Sequence, residues 1–198
     1  MSEALALIRF LKTNLGLPFT PIIAGGFARD QVLGVKARDI DVFLLADSNF
    51  ISADNKSVND MTNMVVDFLT NHYVQHVVEP KLYATPTDGI PAFGPPINFQ
   101  FLQWPVQLVC TPCTSPEDVV GSFDYNVCQY WIGEDGHTIG LADNYLEVLV
   151  HRNMRLLHTR TPWSSLRRGI LMADRFGFNF LEQDRRRLIE ALHAELTS

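Results

Sequence analysis

Cysteine is scarce in this chain: three residues in 198, an odd count that excludes the disulfide framework of a small secreted domain. Long apolar runs are missing as well. The longest are short stretches such as Val42-Phe43-Leu44-Leu45-Ala46, far below the ~18 residues a membrane span needs. The opening Met1-Ser2-Glu3-Ala4 lacks the basic stretch that begins a signal peptide. There are no internal repeats and no low-complexity tracts. Absent too are the G-x-G-x-x-G of a dinucleotide site, the Gly-Lys-Ser of a phosphate loop and the nucleophile elbow of a serine hydrolase. Cys110-x-x-Cys113 has no second close pair and His137 is badly spaced as a fourth ligand, so no zinc site is expected. His72 and His76 straddle a predicted helix–strand junction and are not read as ligands. Basic residues number 16 against 22 acidic, a net of −6, which argues against a protein coated in nucleic acid. What remains is a soluble, cytoplasmic, globular chain without membrane association.

What is present is ordinary in bulk and uneven in detail. With 46% apolar residues, a chain of this length buries roughly 70% of its unfolded surface, enough for a core without staples. Residues 1–150 hold 7 basic and 17 acidic residues, a net of −10; residues 151–198 hold 9 and 5, a net of +4. All nine are arginines, the side chain suited to bidentate phosphate contacts. An acidic front suits metal ions and an arginine-rich back suits a polyanion, or else a solvated helical surface.

Leu5, Ile8 and Leu11 predict a helix over 4–14, closed by Gly16. Residues 21–24 read as a buried strand that Gly25-Gly26 turns into a helix over 27–33, closed by Gly34. A strand at 40–45 follows, then a polar loop over 46–59 and a helix over 61–73. Strands are expected at 74–78, 97–102 and 106–110, the first two separated by a proline- and glycine-rich loop. From residue 143 the pattern turns helical. Mixed elements followed by helices alone predict an α+β head over 1–142 and a helical, arginine-rich extension over 143–198.

The chemistry concentrates in Ile22-Ile23-Ala24-Gly25-Gly26-Phe27-Ala28-Arg29-Asp30 and Asp39-Ile40-Asp41. Asp39 and Asp41 are i, i+2 at the start of a strand, so both carboxylates point to one face, with Cα atoms roughly 6.5 Å apart. Such a pair repels itself when empty and suits Mg²⁺, which takes one or two carboxylates plus substrate phosphates. Two such ions about 3.5–4 Å apart clamp the attacking and leaving oxygens of a phosphoryl transfer. Strand, Gly-Gly, helix leaves backbone N–H groups for a polyphosphate, and Arg29 lies one turn into that helix.

Gly25-Gly26-x-x-Arg29-Asp30, Leu33-Gly34 and Asp39-x-Asp41 together resemble the signature of the polymerase-β-type nucleotidyltransferases. The closest likeness is to the class II branch of bacterial CCA-adding enzymes and poly(A) polymerases. Phe123-Asp124-Tyr125-Asn126-Val127 resembles that branch's Phe-Thr-Ile-Asn-Ala segment beside the sugar, 133–140 its following turn and 146–157 the helix after it. Residues 166–178 resemble its arginine-rich neck helix. The resemblance implies a mixed-sheet nucleotidyltransferase head with a neck-like extension, and two Mg²⁺ on Asp39 and Asp41 as catalytic and metal-binding residues. Gly25, Gly26, Arg29, Asp30, Asn126, Arg167 and Arg168 are the implied nucleotide-binding residues. The implied reaction moves a nucleoside monophosphate from an NTP, with release of pyrophosphate, to an acceptor hydroxyl. An RNA or tRNA 3′ end is the favoured acceptor, and a homodimer is one arrangement the resemblance admits.

Four departures qualify this. Gln107 stands where the third carboxylate falls, and Gly121-Ser122 replaces an Arg-Asp pair. Pro162-Trp163-Ser164-Ser165 replaces the Glu-Asp pair that reads the base, and no body follows the neck within the chain. Transfer to a protein or small molecule, and a degenerate head that binds without turnover, are the rivals. Trp104 and Trp131 are expected in the core, Trp163 as a candidate for stacking on a base, and Arg185-Arg186-Arg187 in solvent.

Overall fold

The computed structural model describes residues 1–15, 19–46, 55–72, 74–79, 93–133, 135–141, 145–159 and 161–197. In chain order the elements are α1 (Ser2–Leu15), β1 (Phe19–Ala24), α2 (Gly26–Val32), β2 (Ile40–Ala46), α3 (Asn55–Asn71) and β3 (His76–Val78). Then come β4 (Ile97–Phe101), β5 (Trp104–Thr111), α4 (Pro116–Gly121), a 3₁₀ turn (Asn126–Cys128), β6 (Tyr130–Ile132) and β7 (Thr138–Gly140). A π-helical turn (Tyr145–Val150), β8 (Asn153–Met154), α5 (Pro162–Phe176), β9 (Asn179–Phe180) and α6 (Glu182–Thr197) complete the chain. The class is α+β, as the sequence predicts.

Among the described residues seven strands form a mixed sheet in the order β3-β4-β5-β2-β1-β6-β7, with β2 and β5 parallel and the other neighbours antiparallel. β2 is apolar along both faces because both are covered. Ile40, Val42 and Leu44 join a core with Leu7 and Leu11 of α1, Phe27 of α2, and Met61, Val65 and Leu69 of α3. Phe43 and Leu45 point the other way, into a smaller cluster with Ile22, Val109, Phe93 and, from α4, Val119 and Val120. The larger core runs on through Met154, Leu156, Met172, Phe178, Phe180 and Leu188, so one continuous interior serves both the head and the extension.

Two expectations are corrected. The helix expected from residue 61 begins at Asn55, so 55–59 belong to it and not to a loop; its polar first turn carries no apolar period to read. The part after residue 143 is not helices alone. The helix expected over 146–157 ends at Val150, Arg152 takes φ 55°, and β8 pairs in parallel with β9. The backbone there has better partners than its own helix: Asn126 Oδ1 accepts the Arg155 N–H at 2.8 Å and Asp184 Oδ2 the Leu156 N–H at 3.0 Å. Gly16 and most of the proline-rich loop, 80–92, lie outside the described residues.

α5 starts with Pro162 in its first turn and stops at Gly177, whose φ of 67° is the left-handed conformation that ends helices. Ser165, Gly169 and Met172 make its buried side. Gly169 permits a close approach: a Cβ there would lie 3.0 Å from Tyr125 Cζ and 3.0 Å from Phe180 Cε1. The buried Tyr125 hydroxyl donates to Ser165 O at 2.7 Å, which seats the helix on the head.

Candidate active site

The antiparallel register of β1 and β2 sets Ile23 against Val42. One step further, the end of β1 becomes the Gly25–Gly26 turn, and Asp41 is the second residue of β2. Gly25 has φ 75°, which an L side chain resists, and its N–H donates to Tyr130 O at 2.9 Å. The Gly26 N–H donates to the Asp41 carboxylate. Neither glycine N–H is therefore free for a polyphosphate, which corrects that expectation. What the glycines supply is room. A Cβ on Gly26 would sit 3.3 Å from Asp41 Oδ2, and one on Gly25 3.4 Å from the Phe123 ring.

Asp39 is exposed in the bend before β2, and Asp41 is half-buried at its start. Burial, reinforced by the charge of Asp39, pushes the Asp41 carboxyl up to about 7; the Gly26 N–H, Arg29 and Arg168 only partly offset this. Ionising Asp41 is thus costly without a counter-charge beside it. An all-oxygen donor pair of this kind fits a hard divalent cation such as Mg²⁺.

β2 and β5 run parallel with Asp41 level with Gln107, and β4 and β5 antiparallel with Asn98 level with Gln107. Asp41, Gln107 and Asn98 therefore form one row on one face of the sheet, and the Gln107 amide donates to Asn98 Oδ1 at 3.2 Å. The position beside Asp41 where a third carboxylate was sought is neutral. Among the described residues no three His, Cys, Asp or Glu side chains converge as a metal cage. Asn98 escaped the sequence reading, although the two-residue turn between Phe101 and Trp104, counted backwards, places it opposite Gln107.

Arg29 and Asp30 are both buried. Arg29 donates to Asp30 Oδ1 at 2.8 and 2.6 Å, and Arg175 of α5 reaches Asp30 Oδ2 at 3.3 Å and Lys36 O at 3.2 Å. Both guanidinium groups also lie 4.6 Å from the centre of the Phe176 ring. Arg29 thus forms the floor behind Gly26, with its third nitrogen on the sulfur atoms of Cys128 and Met172. Arg175 is a site-supporting residue that no local pattern marked, since its partners lie in α2 and the loop before Asp39. Asn126 is buried, and its amide bonds the backbone of Asn153 and Arg155.

The two arginines of the neck-like helix part company. Arg168 is held by Asp124 at 2.9 Å, and its charge acts on Asp41. Arg167 is exposed on the side of α5 turned away from buried Ser165, Gly169 and Met172. Trp131 lies in the core and Trp104 packs edge-on to Phe27, whereas Trp163 is exposed. The three cysteines are buried free thiols, and burial pushes the Cys110 thiol up to about 12, far from reactive. His72 and His76 each turn to a backbone carbonyl. Arg186 pairs with Glu182, and Arg187 with buried Asp184, so these two are anchored locally.

No protein-family model and no curated sequence matches this chain. Solved structures do. A CCA-adding enzyme in complex with ATP superposes with a TM-score of 0.64 at 18% identity, over 98% of this chain and 44% of that one. A tRNA nucleotidyltransferase complexed with a primer tRNA and an incoming ATP analogue gives 0.59 at 16% identity, over 98% and 51%. An apo form of a tRNA-processing enzyme gives 0.61 at 16% identity, over 98% and 46%. The chain spans about half the length of these enzymes, and over that half its fold is theirs: the mixed-sheet fold of the CCA-adding nucleotidyltransferases.

Proposed function

We propose that the chain is a Mg²⁺-dependent nucleotidyltransferase that moves a nucleoside monophosphate from an NTP to an acceptor hydroxyl, with an RNA 3′ end as the acceptor. The observation that carries this is the placement of the Asp41 carboxylate against the Gly25–Gly26 turn with Asp39 beside it, all at one end of the sheet. The acceptor oxygen bonds to the α-phosphorus, the bond to the β-phosphate oxygen breaks, pyrophosphate leaves and the hydroxyl proton passes to solvent.

Asp39 and Asp41 are the residues that hold Mg²⁺. When bound, it acidifies the acceptor hydroxyl and offsets the charge of the leaving pyrophosphate. The Gly26 N–H fixes the Asp41 carboxylate, and Gly25 and Gly26 leave the space above it open to the triphosphate. Arg168, steadied by Asp124, adds positive charge at the mouth, while Arg29 and Asp30 brace the turn from below. Most of the rate then comes from positioning and charge placement. RNA is favoured as acceptor because solved enzymes of this fold are described as tRNA-processing, and one holds a primer tRNA.

The neutral row of Gln107 and Asn98 favours a second reading, a head that binds Mg²⁺·NTP without turnover. The test is transfer of label from each α-labelled NTP into RNA and into protein, with Asp41→Asn alongside. Label in RNA that the variant loses supports the first reading. Label in protein alone moves the acceptor class. Mg²⁺-dependent NTP binding with no pyrophosphate released in any mixture favours the second.

A further inference from the structure

α5 has a second face that the site does not use. Opposite buried Ser165, Gly169 and Met172, the side chains of Trp163, Ile170 and Leu171 are 57%, 56% and 57% exposed. Arg167 and Asp174 are exposed among them. At about 100° per residue these five positions fall in one stripe along the helix. A single exposed apolar side chain is ordinary on a protein surface, but three large ones aligned on one helix form a patch that water disfavours.

The two charges identify the occupant. Arg167 and Asp174 lie two turns apart, about 10.5 Å along the axis, too far to pair with each other within the helix. Among the described residues neither makes an ion pair. A two-fold axis passing between Ile170 and Leu171 resolves both charges at once. An antiparallel second copy of α5 then sets Arg167 opposite Asp174 of its partner, and Asp174 opposite the partner's Arg167. Ile170 and Leu171 of the two copies gather at the axis, and each Trp163 lies level with the other copy's Phe178, just past the helix end. The patch is complementary to itself, which is what an isologous interface requires.

We propose that the chain forms a homodimer through this face of α5, packed antiparallel, with reciprocal Arg167–Asp174 pairs. The interface stands apart from the nucleotidyl-transfer site and holds whether or not that site turns over. Sedimentation equilibrium on the 198-residue chain, from about 1 to about 100 µM, reads it directly. Wild type populates a dimer in that range. Arg167→Glu and Asp174→Arg each weaken it by about tenfold or more, because each turns both symmetry-related pairs repulsive. Mixing the two variants restores a heterodimer at wild-type strength, since every pair is again of opposite sign. Leu171→Glu abolishes association, and far-UV circular dichroism shows all three variants folded. A wild type that stays monomeric at the highest concentration overturns the proposal. So does a dimer indifferent to both charge reversals, or a mixture that does not reassociate.

Discussion

Asp41 carries the largest share of chemistry for one residue. Its carboxyl rises from near 3.8 to about 7, so across that interval the folded protein holds a proton that the unfolded chain has released. The stabilisation from this proton is complete below the lower value and lost as pH climbs through the upper one. Mg²⁺ competes with the same proton. The thermal midpoint gained on adding Mg²⁺ is therefore expected to be small at pH 6 and larger at pH 8. In Asp41→Asn the gain disappears at both, the metal-free variant outlasts wild type at pH 8, and nucleotidyl transfer falls on the order of 10²-fold or more. A thermal shift independent of pH in wild type would show that Asp41 does not take the metal. Gln107→Glu tests the row from the other side. A further negative charge level with Asp41 lowers the midpoint of the metal-free protein and enlarges the Mg²⁺-induced gain, both read by scanning calorimetry.

At the scale of elements, the decisive contacts join α5 to the sheet domain. Gly169→Ala forces a methyl group against Tyr125 and Phe180 and is expected to cost about 1–3 kcal/mol in urea unfolding. Tyr125→Phe removes the nearest atom and recovers part of that loss in the double variant. Asp30→Ala leaves Arg29 buried beside no carboxylate, an expected loss of about 3–5 kcal/mol by the same measurement. These contacts also mark the limit of what could be read from the chain alone. The unit from β1 to β2 was legible because strand, turn and helix follow within about one βα step, each with its own local signal. Gln107 is set at the third-carboxylate position by the family resemblance, and the register of β2 and β5 puts it level with Asp41. The burial of Arg29 could not be read, since its partners Met172, Arg175 and Phe176 lie far along the chain and meet it only through tertiary packing. β8 and β9 are two residues each, too short for any period to register. The resemblance implies a helix over 146–157, and hydrogen bonds from its backbone to Asn126 and Asp184 override it.

Taken whole, the molecule does not divide where its composition does. The charge changes sign near residue 150 and the element pattern changes near residue 143, yet one apolar interior spans both parts. Heat or denaturant is therefore expected to unfold the chain in one transition, with near-ultraviolet and far-ultraviolet circular dichroism tracing the same curve. Two separated midpoints would mean that the extension folds apart from the head.

The bond from Arg175 to Lys36 O has a consequence for anyone recombining such enzymes. A residue of the last third of the chain steadies the segment that delivers Asp39, so head and extension are not exchangeable modules. A chimera that joins this head to a foreign neck keeps the Arg29–Asp30 pair but leaves the second Asp30 oxygen and the Lys36 carbonyl without their arginine, and must supply one at the same height on the incoming helix before the grafted head can be expected to work.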